Sequence, residues 1–160
     1  MAHFISQTEA DIFFSMEKFP EEDISYSFPH SGEKIIIPFL SEDKRESFLF
    51  DISRGKIELS KAVFQSRVRK IYVLRRIDLN GPMHRNPEVD KAPLEIFEPY
   101  NGREIPTPHM HVYIEGFGER WAVPASIFID MAGKENFDLL FDFFKYCNVK
   151  KFPNINNTLL

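Results

Sequence analysis

The chain has only one cysteine and seven glycines, and it lacks a long apolar run. Because Cys147 stands alone, an internal disulfide is excluded, and its apolar neighbours favour a buried thiol in a reducing compartment. No stretch approaches the roughly 18 apolar residues of a membrane-spanning helix, and the first residues show no basic leader before an apolar run. We therefore expect a cytoplasmic protein without a membrane partner.

What is present in quantity is large hydrophobic side chains. The 160 residues are 43% hydrophobic and include 17 phenylalanines, which is enough for one core and too little for two. We expect a single α+β domain over residues 1–148. Residues 149–160 are polar and turn-prone, which is typical of a tail that lies along the surface.

The charge is unevenly distributed. Net charge is −4, but no acidic residue occurs between Glu58 and Asp78. That window contains Lys61, Arg67, Arg69, Lys70, Arg75 and Arg76. Such a segment is either a site for phosphate groups, with Arg67 and Arg69 among the ligand-binding residues, or the solvated side of a strand pair.

Helical patterns occur near both ends of the chain. Thr8-Glu9-Ala10-Asp11 has the spacing of a capping box and predicts a helix over residues 8–18, ended by Pro20. A stripe of apolar residues, Phe137, Leu140, Phe141 and Phe144, predicts a second helix over residues 134–147. Residues 127–132 are predicted as a helical turn.

Between the helices the patterns are those of strands separated by turns. Predicted strands cover residues 25–28, 34–40, 47–52, 57–64, 69–79, 109–115 and 120–123, with a short edge strand at 94–97. Strands flanked by terminal helices indicate an antiparallel sheet, curved or barrel-like. Residues 80–108 form a proline-rich connection, and a loop this long is either functional or contains small elements of its own.

The stretch "TPHMHVYIEG" carries the most distinctive pattern. Side chains alternate faces along a strand, so His109, His111, Tyr113 and Glu115 share one side. Met110, Val112 and Ile114 share the other, which we predict to be the core face. The histidine side is then expected to be the solvated face of the sheet.

A second set of polar residues lies on the strand predicted at 69–79 and just beyond it. Arg76 and Asp78 fall on the less apolar face of that strand, and His84 and Arg85 follow it. If this strand neighbours the histidine strand, the two sets face each other across the ladder.

Two chemistries suit these residues. In a metal-independent ribonuclease, His109 and His111 would exchange protons with the ribose hydroxyl and the leaving oxygen, while Arg76 or Arg85 holds the phosphate. Alternatively, His109 and His111 are metal ligands joined by Glu115, Asp78 or His84. If neither applies, the two histidines form hydrogen bonds on a solvated face.

The spacing His109-Met110-His111 with Glu115 resembles the first metal motif of the cupins. The resemblance implies a metal held by two histidines and a glutamate inside a β-barrel. A cupin adds a histidine from a later strand, whereas no histidine follows His111 here.

A larger pattern covers residues 44–148 and consists of R-I-D-L-N-G-P-M-H-R-N-P, residues 76–87, P-H-M-H-V-Y-I-E-G, residues 108–116, Trp121-Ala122 and Tyr146-Cys147-Asn148. This combination resembles an uncharacterised family of short bacterial and phage-borne proteins. It implies a setting in prophages and mobile elements, where toxins, inhibitors of host defence and nucleic-acid enzymes are common, and no particular activity.

The leading hypothesis is a prophage-type protein that engages RNA or another phosphate-bearing ligand and cleaves it without a metal or cofactor. Its catalytic residues would be His109, His111, Arg76 and His84, with Arg85, Asp78, Tyr113, Glu115, Arg67 and Arg69 in ligand binding. The alternative is a non-catalytic module, inhibitor or antitoxin-like, that docks on a host or phage protein. A cupin-like metal-dependent enzyme is the third possibility.

Overall fold

The computed structural model describes residues 3–57 and 60–157 and confirms the α+β class. Its main element is a seven-stranded antiparallel sheet in the order β1-β3-β4-β5-β6-β9-β10. These strands are β1 (Lys18–Pro20), β3 (Lys34–Ser41), β4 (Ser47–Arg54), β5 (Ala62–Val68), β6 (Tyr72–Asp78), β9 (His109–Ile114) and β10 (Gly118–Pro124). The inferred neighbour relation of β6 and β9 is confirmed.

Two small strand pairs accompany the sheet. Strand β2 (Ser25–Ser27) pairs in parallel with β11 (Asn154–Asn156), so part of the predicted tail forms a strand. Strand β7 (His84–Arg85) pairs with β8 (Glu104–Ile105) inside the proline-rich connection.

The helices lie where the sequence indicated, with one error of capping. Helix α1 (Gln7–Ser15) begins at Ser6, whose hydroxyl accepts from the amide of Glu9 while the Glu9 carboxylate accepts from the amide of Ser6. The capping box predicted from Thr8 is therefore wrong, because Ser6 and Glu9 satisfy the free amides two residues earlier. The helix also ends before residue 18, since Lys18 already belongs to β1.

Helix α2 (Asn136–Tyr146) packs against one face of the sheet through aromatic side chains. Phe143 and Phe144 contact Phe50 with ring centroids 6.0 and 5.4 Å apart, and Phe143 contacts Phe64 at 6.2 Å. These rings are fully buried. The phenylalanine-rich composition thus builds one core between α2 and the sheet.

Four predicted elements differ from the structure. Strand β5 lies later than residues 57–64, of which 58 and 59 are outside the described residues. Strand β6 starts at Tyr72 because Arg69 and Lys70 adopt φ of 52° and 65° and form the turn. The edge strand predicted at 94–97 is wrong, since Glu95–Tyr100 is a 3₁₀ helix that begins directly after extended Leu94. The helical turn is a 3₁₀ helix at Ala125–Ile127, earlier than predicted.

The sheet is open, so the barrel-like alternative is wrong. Both edge strands are nevertheless covered. Asn86, which is buried, accepts from the amide of Ala122 and donates to its carbonyl oxygen, and so pairs with β10 as a strand would. On the other edge, residues 148–150 bind the backbone of Lys18. Covered edges do not offer free backbone groups to other chains.

No helix in residues 3–57 and 60–157 is long and apolar enough to cross a membrane.

Candidate functional site

Strand register brings the predicted polar residues together. Arg76 on β6 lies opposite His111 on β9, and Asp78 lies opposite His109. Because directly opposed residues point to the same side of a sheet, these four side chains share the face that is turned away from α2. Met110 and Val112 point to the core as predicted and are buried.

The histidine side of β9 is not solvated, which corrects the expectation from sequence. His109 and His111 are 1% and 4% exposed. The cover comes from the proline-rich connection, which runs across this end of the face. His84 on β7 places its ring centroid 4.6 Å from that of His111 and 6.0 Å from that of His109. The long connection therefore has small elements of its own and completes a histidine cluster.

Each of the three imidazoles is fixed by one backbone carbonyl. His109 donates from Nδ1 to the carbonyl oxygen of Ile105 at 3.1 Å, and His111 donates from Nδ1 to that of Glu119 at 2.8 Å. His84 donates from Nε2 to the carbonyl oxygen of Arg120 at 2.7 Å. A carbonyl oxygen only accepts, so these contacts assign the proton to the named nitrogen. When such a ring is neutral, its other nitrogen carries a lone pair.

Asp78 lies between this cluster and Arg76. The guanidinium donates from Nε to Oδ1 at 2.7 Å and from Nη2 to Oδ2 at 2.8 Å. Burial alone would raise the pKa of Asp78, but His109 and Arg76 favour the charged form more strongly and hold this pKa well below its usual range. Asp78 is therefore a carboxylate at neutral pH.

His111 is neutral at that pH. Burial lowers the pKa of His111 to about 4, more than the nearby Asp78 raises it. The Nε2 atom of His111 is buried and has no hydrogen-bond partner among the described residues. It lies 3.9 Å from Oδ1 of Asp78, while Nε2 of His109 lies 3.5 Å from Oδ2. The Nε2 atoms of two imidazoles thus face the same carboxylate.

A cleft of about 300 Å³ opens onto these groups. It is lined by Arg76, Asp78, Pro82, Met83, His84, His109, His111, Glu119 and Arg120, and we call it the histidine cleft. Sequence patterns did not single out Pro82, Met83, Glu119 or Arg120 as site residues. Glu119 and Arg120 lie on β10, which pairs with β9, so a search across both neighbours of the histidine strand would have found them.

Tyr113 and Glu115 continue the alternation of β9 but lie outside the cleft. The Tyr113 hydroxyl accepts from the amide of Ile5 and donates to its carbonyl oxygen. Glu115 accepts from the amide of Gln7 at 2.7 Å. Both side chains attach the N-terminal segment to the sheet, so the cupin-like ligand set with Glu115 is not assembled.

The other predicted arginines are each paired with an acidic residue away from the cleft. Arg67 binds Asp51, and Arg69 binds Glu46 while its guanidinium lies over the ring of Phe13. The exposed Arg85 reaches Glu104 and the carbonyl oxygen of Gly102. Three of the six cations in the acid-free window, Arg67, Arg69 and Arg76, are therefore paired with acids.

Asp78, His109 and His111 could hold a metal ion. Their potential ligand atoms all lie within 4.8 Å of one another, and two imidazoles with one carboxylate are a common ligand set for zinc and iron. The set combines β6 and β9, so sequence spacing alone does not display it.

The chain belongs to the family of unknown function DUF6978, which matches residues 5–149. This agrees with the resemblance to an uncharacterised family. No curated protein and no solved structure matches the chain significantly.

Proposed function

We propose that the histidine cleft is the active site of an enzyme that acts on a small phosphate-bearing molecule. The observation that carries this proposal is the convergence of three carbonyl-anchored imidazoles beside the Asp78 and Arg76 pair. Oriented imidazoles and a charged pair in one cleft are characteristic of reaction sites, because each must keep a defined proton position.

The size of the cleft favours a small ligand over a long RNA strand. Its volume of about 300 Å³ is at the lower end of the range for ligand pockets. His109 and His111 lie beneath the proline-rich connection, so an RNA strand that lay across the sheet would not reach them. The pairing of Arg67 and Arg69 with acids removes much of the positive surface that RNA binding needs.

We assign ligand binding to Arg76 and His84. Arg76 uses Nε and Nη2 on Asp78, while its Nη1 is 3.9 Å from Glu119 and stays available to a phosphate oxygen. His84 is the least buried of the three histidines and lines the cleft, so it is placed to exchange a proton with a ligand. Proton transfer by His109 and His111 stays a prediction.

A binding and turnover experiment tests the proposal. We expect inorganic phosphate to bind to the wild-type protein in isothermal titration calorimetry, and p-nitrophenyl phosphate or its diester to be hydrolysed. His84→Ala should weaken phosphate binding or turnover at least tenfold, whereas Arg85→Ala, next to it and outside the cleft, should not. Equal effects of both variants, or neither binding nor turnover by the wild type, would contradict the proposal.

The non-catalytic docking module and the prophage setting stay predictions. The same experiment bears on the first: a folded wild-type protein that neither binds phosphate nor hydrolyses either ester leaves the docking module as the better hypothesis.

A further inference from the structure

We propose that the histidine cleft binds a divalent transition-metal ion through Asp78, His109 and His111. This inference deepens the proposed function, because the ion would occupy the same cleft and would contact the phosphate group of the ligand. It departs from the metal-free chemistry that the sequence favoured.

The orientation of the two β9 histidines is the first argument. Each donates its Nδ1 proton to a carbonyl oxygen, of Ile105 or Glu119, so each presents Nε2 as a lone pair. Metal-binding histidines almost always have such a partner on the nitrogen that does not bind the metal, because it fixes the tautomer and the ring plane. The two carbonyls come from different segments that flank β9, one from β8 and one from β10.

The unpaired acceptors are the second argument. Nε2 of His111 is buried and unpartnered within the described parts of the chain, and it faces Oδ1 of Asp78. Nε2 of His109 faces Oδ2 of the same carboxylate. A lone pair opposite a carboxylate oxygen is unfavourable unless a proton or a cation lies between them. One ion among the three residues satisfies all of these acceptors, whereas a single proton on His109 would leave His111 unpaired.

Distances are compatible with direct coordination. The contacts of Asp78 with the two Nε2 atoms are 3.5 and 3.9 Å. In a tetrahedral zinc site, bonds of about 2.0–2.2 Å place neighbouring donors roughly 3.4 Å apart. The three ligand atoms lie within 4.8 Å of one another, so the widest pair must close by up to about 1.4 Å for direct coordination.

Arg76 does not block the carboxylate. It takes one lone pair on each oxygen of Asp78, and each oxygen keeps another. The guanidinium fixes the rotation of the carboxylate and offsets its charge, so Arg76 is a positioning residue for the ion. Glu119 adds a second acidic group to the cleft, which favours a cation there.

Two imidazoles and one carboxylate leave coordination positions open. This set suits zinc, iron(II) or manganese, and the open positions face a cleft that is also lined by His84. The ion resolves an electrostatic difficulty of the proposed function, because lone pairs and carboxylates alone would repel a phosphate. With the ion present, a phosphate oxygen has a positive partner.

The test uses untagged full-length protein, stripped with a chelator and dialysed separately against zinc, iron(II) under anaerobic conditions, manganese and cobalt(II). We expect one equivalent of at least one ion by elemental analysis, and ligand-field bands from cobalt(II) bound to nitrogen and oxygen. His109→Gln, His111→Gln and Asp78→Asn should each weaken binding of that ion at least 100-fold. Circular dichroism verifies that each variant is folded.

Asp51→Asn is the matched control, because Asp51 forms an arginine pair on the same sheet face without histidines, and it should keep the wild-type affinity for the ion. Failure of the folded wild type to bind any of the four ions overturns the inference, as does equal loss in Asp51→Asn and Asp78→Asn. If the stripped protein binds phosphate and this binding depends on His84, the proposed function is retained with a metal-free site. Metal binding without any phosphate binding would reject the function and retain the metal.

Discussion

Two aspartate–arginine pairs lie on the same face of the same sheet, and they have different roles. Asp51 on β4 and Asp78 on β6 both accept two hydrogen bonds from an arginine, Arg67 in the first pair and Arg76 in the second. Gln65 on β5 connects the two pairs across the sheet, because it lies opposite both Asp51 and Arg76. The pairs therefore differ in their surroundings rather than in their own geometry.

Around Asp51 every acceptor position is used. Besides Arg67, Gln65 donates to Oδ2 at 2.9 Å and Lys34 lies 3.5 Å from Oδ1. Burial would raise the pKa of Asp51, but the hydrogen bonds from Arg67 and Gln65 lower it further than burial raises it. This pair is complete within the protein and holds β3, β4 and β5 in register.

Around Asp78 the remaining positions face the Nε2 atoms of His109 and His111 instead of further amide or cationic groups. The difference teaches that a buried ion pair is not by itself a sign of function. What marks the Asp78 pair is the buried Nε2 atom of His111, which has no hydrogen-bond partner among the described residues.

Removing the two carboxylates should have unequal effects on stability. We expect Asp51→Ala to lower the free energy of unfolding by about 4 kcal/mol, because it leaves the half-buried Arg67 without its partner. Asp78→Ala should cost less, about 2 kcal/mol, in the metal-free protein. The low pKa of Asp78 indicates that the carboxylate stabilises the fold, but Arg76 can turn to Glu119 and the repulsion with Nε2 of His111 is lost, which offsets part of the loss. Urea denaturation with chelator present measures both, and equal losses would show that the pairs are equivalent.

The next largest difference between the Asp78 and Asp51 regions is expected in how the free energy of unfolding depends on pH. His111 has a pKa of about 4 in the folded protein against about 6.5 unfolded. Between these two pH values the unfolded state binds more protons at His111 than the folded state does. The contribution of His111 to the free energy of unfolding is therefore constant above pH 6.5 and falls as pH decreases toward 4. The full loss of unfolding free energy from His111 across this pH range is about 3 kcal/mol.

Urea denaturation of the metal-free protein at pH 7, 6, 5 and 4 measures this slope. His111→Gln should remove that part of the slope, whereas Asp51→Asn should keep it, because the lowered pKa of Asp51 acts only below its unfolded value near 4. A slope that survives in His111→Gln would contradict the assignment.

The smallest effect is expected at a third, exposed pair. Arg85 and Glu104 are 3.1 Å apart and more than half exposed in their side chains. Surface ion pairs contribute little because water screens them, so Arg85→Ala should change the free energy of unfolding by less than about 0.5 kcal/mol. A larger loss by thermal or urea unfolding would mean that β7 and β8 depend on this contact, and the variant would no longer serve as a neutral control.

Much of the fold was predictable because its signals are local. The apolar stripe of α2 and the alternation of β9 follow from side-chain spacing within one element. Errors occurred where two local signals compete, as at Thr8 and Ser6, or where a short segment lacks a period, as at residues 94–97. The sequence also suggested that β6 and β9 are neighbours, which the register confirms.

The environment of the site was less predictable than its members. Arg76, Asp78, His84, His109 and His111 were all candidates and are brought together, although their roles stay predictions. Burial of the histidines was not foreseen, because the cover comes from a connection whose path depends on Asn86 binding the edge of β10. Such a contact has no periodic signature.

By itself the sequence determined which residues share a side of each strand, since the alternation of a pleated chain is a property of the backbone. Only the tertiary structure decided that Asp78 faces the Nε2 atoms of two imidazoles, that of His111 unpartnered among the described residues, while Asp51 faces only donors. That choice depends on strand register and on the path of residues 79–108, which are fixed by burial of distant side chains rather than by neighbours along the chain.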